Sequence, residues 1–121
     1  MNMKHKWKKP IVVLDGVHAG KIVQVDFEET PYEYTRIYVK FDNSGEDIIL
    51  KYSCPTNLSE TSKLGQLLIS FGIEYQADGE VDIREELLSK EVVFQTQMKP
   101  SSKNPKLLFA EIIDDTLKLA G

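Results

Sequence analysis

Every second residue is apolar in three consecutive runs of the first half of this chain; one later run has helical spacing, and two last runs return to strand-like patterning. The second of these runs constrains the fold most. Within Tyr32–Phe41, Thr35, Ile37, Val39 and Phe41 alternate with Tyr34, Arg36, Tyr38 and Lys40. Successive side chains of a strand point to opposite faces, so one face needs an apolar core and its back carries rings and cations.

The neighbouring runs build around this strand. In Gly20–Glu28, Val23, Val25 and Phe27 are expected on one face and Gln24, Asp26 and Glu28 on the other, with Gly16 and Gly20 placed where a strand can bend sharply. Asn43-Ser44-Gly45 reads as a turn, and Ile48, Leu50, Tyr52 and Cys54 alternate after it, so three strands form an antiparallel meander. Leu64, Leu67, Leu68 and Phe71 then fall at i, i+3, i+4 and i+7, one face of a helix. Ser59, Thr61 and Ser62 offer N-cap oxygens, and Gly72 suits the left-handed position that ends a helix. A brief further turn of helix is expected over 82–88, capped by Asp82. Glu91–Lys99 alternates again, and 107–113 is apolar at nearly every position, as in a strand covered on much of both faces. The run 100–105 joins these two as a hairpin loop.

The length of 121 residues suits one domain over 11–117, flanked by a basic arm at 1–10 and a short tail at 118–121. The single cysteine, Cys54, excludes an internal disulfide and any multi-cysteine metal site. The arm's lysines are followed by only Ile-Val-Val-Leu before Asp15-Gly16, too short for a secretory apolar core, and nothing resembles a membrane span. A cytoplasmic location is expected. No nucleophile elbow, phosphate loop or dinucleotide fingerprint is present, and neither His5 nor His18 has ligands at metal-binding spacing. No enzymatic activity, cofactor or metal is therefore expected.

Strand, strand, strand, helix, strand, strand is the chain order of the OB-fold, a five-stranded Greek-key barrel with one helix between strands three and four. Gly20-Lys21-Ile22-Val23, the helical stretch Ser62–Leu68 and Leu88-Ser89-Lys90-Glu91-Val92 give the chain a pattern that resembles OB-fold single-stranded-DNA-binding proteins of bacteriophages and mobile elements. The resemblance implies non-catalytic binding of single-stranded DNA with little sequence preference, in replication or recombination. The partners it implies are that DNA, a second copy of the chain, or replication and recombination proteins.

In such a barrel the outer face of strands two and three, with the loops joining strands one to two and four to five, forms the oligonucleotide groove. Tyr34, Arg36, Tyr38 and Lys40 fall there, with Tyr32 in the preceding loop, Lys51 on strand three, and Lys99, Lys103 and Lys106 in or beside the second loop. Rings under bases and cations along phosphates are what a single strand needs. The net charge of −4 opposes a polyanion, but four of the 15 basic residues sit in the first ten, where Trp7, Lys8 and Lys9 can close over a bound strand. The same tyrosine-rich face equally suits a protein-interaction or assembly surface. Saccharide recognition also uses aromatic platforms, but gains nothing from the lysines.

Overall fold

The alternating runs become strands of one antiparallel sheet. The structure is a computed structural model and describes residues 3–4 and 12–121. In chain order the elements are β1 (Gly16–Glu28), β2 (Tyr34–Asn43), β3 (Glu46–Pro55), α1 (Lys63–Ser70), α2 (Ile83–Leu87), β4 (Glu91–Pro100), β5 (Leu108–Ile112) and β6 (Lys118–Leu119). The principal strands lie in the order β3-β2-β1-β4-β5, while the two-residue β6 pairs with β4 beside Val92 and Val93. This five-strand sheet curls into an OB-like half-barrel, with the helices between the third and fourth strands. The edges of β3 and β5 face one another across a cleft without a shared hydrogen-bond ladder.

On β2 the expected alternation is realised: Thr35, Ile37, Val39 and Phe41 are at most 2% exposed. Thr35, the polar member, places its hydroxyl 2.9 Å from that of Thr56. On β1 the alternation breaks. Ile22 pairs with Val39 and Gln24 with Tyr38, so Val23 is the extra residue of a β-bulge. Ile22 and Val25 are therefore both buried, and Val23, expected beside Val25, is exposed instead. The bulge lies where β1 leaves β4: after Lys21↔Glu91, the Ile22 backbone bonds to Ser89 and Lys90 at the exit of α2. Gly20, just before it, allows a close crossing, since a Cβ there would lie 2.6 Å from the Lys40 carbonyl oxygen.

The helices complete the core. Ser62 Oγ accepts the Gly65 N–H at 3.0 Å, capping α1. At the other end Gly72 takes φ +86°, its N–H bonding the Ile69 carbonyl and that of Ile73 bonding Leu68, a Schellman motif. Leu64, Leu67, Leu68 and Phe71 join Ile83 and Leu87 of the short α2 in one cluster with the inward strand residues. Val13 is also buried there, and its neighbours tie the entering chain to the rim: Asn43 Nδ2 donates to the Val12 carbonyl and Thr96 Oγ1 to that of Leu14. Among the described residues no helix is long and apolar enough to cross a membrane.

Candidate nucleic-acid interface

Burial of one face of β2 puts the other outside. Cross-strand pairing arranges that surface in rows: Glu28–Tyr34–Pro55, Asp26–Arg36–Ser53, Gln24–Tyr38–Lys51 and Lys21–Lys40–Ile49. Tyr34 and Tyr38 are separated by roughly 13 Å of strand, with Arg36 between them.

Arg36 already has partners on the protein. Its Nε and terminal nitrogen both reach Glu28 Oε2 at 2.5 Å, and the other terminal nitrogen donates to Ser53 Oγ at 2.8 Å. With its guanidinium carbon 5.4 Å from the Tyr34 ring centre, Arg36 steadies that ring by a cation–π contact. Lys40 pairs with Asp47 at 3.6 Å, and Lys99 with Glu111 at 2.7 Å. Lys51, Lys103 and Lys106 are exposed and make no carboxylate ion pair among the described residues. Tyr32 stands exposed just after the cis Thr30–Pro31 bond, with Glu29 and Glu33 beside it. The surface is thus graded, acidic towards the β1–β2 loop and cationic at Lys51. Trp7, Lys8 and Lys9 lie outside the described residues.

Phe109 is a residue that sequence patterning missed. In 107–113 every position except Glu111 is apolar, and no period selects a face. Leu107 and Leu108 are each 60% exposed and Phe109 44%, so this end of the run is not covered as expected. The pairing register supplies the absent signal: Thr96 and Ile112 are a buried pair, which turns the Gln97–Glu111 and Lys99–Phe109 rows outward. Phe109 then borders a cleft of about 340 Å³ with Lys51, Ser53 and Lys63, bringing β5 against the tyrosine-bearing sheet.

Lys63 spans the β3–β5 seam. Its Nζ donates to the Ser53 carbonyl at 2.9 Å, pairs with Asp114 at 2.9 Å and sits 4.3 Å from the Tyr52 ring centre. Burial pushes the Cys54 thiol up to about 11, an effect that the charge of Lys63 partly opposes and Asp114 reinforces. Burial, then the Cys54 charge, also raises the Tyr52 phenol. Both groups stay neutral and belong to the core. Compared with models of protein families and with curated proteins, the chain matches none.

Proposed function

We propose that the outer face of β2 and β3, with Phe109 and the β4–β5 loop, binds single-stranded DNA without catalysis and with little sequence preference. The observation that carries this is the sorting on β2: Thr35, Ile37, Val39 and Phe41 are buried while Tyr34 and Tyr38 face outward, Tyr38 in a row with Lys51, which makes no ion pair among the described residues. Tyr34, Tyr38 and Phe109 are the stacking groups, and Lys51, Lys103 and Lys106 follow the phosphates. The resemblance to phage and mobile-element proteins supports a role in replication or recombination.

The test is titration with oligo-dT, followed by intrinsic fluorescence at two salt concentrations. Three neutralised phosphates give a slope of log affinity against log salt of about −2. Replacing Tyr34 and Tyr38 together by alanine removes two stacks of about 1–3 kcal/mol each, weakening binding at least roughly 30-fold with folding intact. Unchanged affinity in that variant rejects the groove. The Arg36–Glu28 pairing and the exposed Leu107, Leu108 and Phe109 favour a second reading, a protein-interaction face. Such a contact would survive roughly 0.5 M salt, where phosphate-dominated binding is largely lost.

A further inference from the structure

Away from the tyrosine face, α1, the 73–82 connection and the start of α2 enclose an open groove of about 810 Å³. Its apolar floor includes Leu58, Ile69 and Tyr75, which are 46%, 40% and 50% exposed. Around them stand Glu74, Asp78, Glu80, Asp82, Glu85 and Glu86, and no lysine or arginine lines the groove. None of these six carboxylates forms an ion pair among the described residues. An apolar floor inside a ring of uncompensated negative charge fits a segment carrying lysines around a large apolar side chain. The chain has one in Lys6-Trp7-Lys8-Lys9, within a ten-residue stretch that holds no acid.

We propose that this groove receives the lysine-rich N-terminal segment of a second copy of the chain. Reach decides between the copies. The N-terminal segment joins the barrel at Val12, which Asn43 holds beside the β2–β3 turn. The groove lies past the opposite end of β3, where Leu58 follows Pro55 and Lys63 of α1 bonds the Ser53 carbonyl. From Glu46 to Ser53, β3 spans about 23 Å. Lys8 and Lys9 lie four and three residues before Val12, and their backbone reaches at most roughly 10–14 Å from it. Even with extended side chains, one chain's Lys8 and Lys9 therefore fall short of its own groove but can enter that of a neighbour. Donor and acceptor surfaces differ and lie at opposite ends of the barrel, so the contact is head-to-tail, closing into a ring where the rotation allows and otherwise extending into open chains. Its attraction is between partly exposed charges and weakens with salt.

The proposal does not rest on DNA binding and is tested without nucleic acid. Sedimentation velocity of the full chain across a concentration series, at low salt and at about 0.5 M, is read alongside the emission of Trp7, the sole tryptophan. Concentration-dependent association with a blue shift of Trp7 at low salt, both lost at high salt, is expected. Glu74→Lys with Glu80→Lys, or Lys6→Glu with Lys8→Glu and Lys9→Glu, should each weaken association at least about tenfold. Mixing the two variants should restore one intact contact and give dimers that do not grow. A wild-type chain that stays monomeric, a blue shift independent of concentration, or association indifferent to the groove substitutions overturns the proposal. Unfolding curves of both variants that match wild type assign the loss to the contact; a destabilised groove variant leaves the arm variant as the deciding measurement, and association unchanged there overturns the proposal.

Discussion

Replacing Lys63 by methionine tests whether the open side of the half-barrel is held by a polar clasp. Methionine keeps an unbranched stem over Tyr52 and removes the ammonium. Three contacts are lost: the bond to the Ser53 carbonyl, the pair with Asp114 and the approach to the Tyr52 ring. A hydrogen bond from a charged donor contributes about 1.5–3 kcal/mol. The Lys63 and Asp114 side chains are 30% and 69% exposed, so solvent holds their pair to the low end of about 0.2–1 kcal/mol. The ring contact adds roughly 0.5–1 kcal/mol, and releasing the ordered lysine returns about 1–2 kcal/mol of side-chain entropy. The net loss is about 2 kcal/mol, or a fall in Tm of roughly 6–10 °C for a domain of this size. Urea unfolding of K63M, D114N and the double variant measures the loss and isolates the ion-pair share by a double-mutant cycle. The Cys54 thiol should also titrate higher in K63M, because the charge that lowers its pKa is gone. Stability within about 0.5 kcal/mol of wild type, with an unmoved thiol titration, would refute the clasp.

Gly65→Ala, though favourable by helix propensity, should destabilise the fold by about 2 kcal/mol or more, since the new Cβ would collide with the Ser59 carbonyl oxygen and press on Ser62 Oγ; denaturant unfolding with the midpoint at or above wild type contradicts this. For Cys54 the sign follows from a folded pKa of about 11 against an ordinary 9.0. Below pH 9 the thiol is protonated folded or unfolded, and its contribution is fully present; between about 9 and 11 only the unfolded chain ionises, so stability falls by about 2–3 kcal/mol over that window. Unfolding measured across it should show a shallower decline in Cys54→Ala, and a disulfide reagent should label wild-type Cys54 only as the chain unfolds.

Several features were legible because their causes are local. Backbone geometry gives a strand a period of two and a helix one of 3.6, so the buried face of β2 and the Leu64–Phe71 stripe could be read directly from residue order. The Ser62 cap and the Gly72 stop likewise involve residues a turn or so apart. Where local pattern misled, a distant partner decided. Val23 turns outward because β1 changes neighbours at the α2 exit, and Phe109 faces out because its register follows the buried pairing of Thr96 with Ile112. Residue order likewise did not show that β1 brings Glu28 against Arg36.

Sequence alone thus determined the number and kind of the principal elements, and which side of β2 meets the core, since these follow from the spacing of side chains along a continuous backbone. Only tertiary structure decided which cations keep their charge uncompensated, how the β3–β5 seam is held, and that scattered acids of 74–86 surround one apolar groove. Those outcomes depend on distances between residues far apart in the chain: Coulomb energies and burial are set by what the fold brings within a few ångströms, and residue order does not specify that directly.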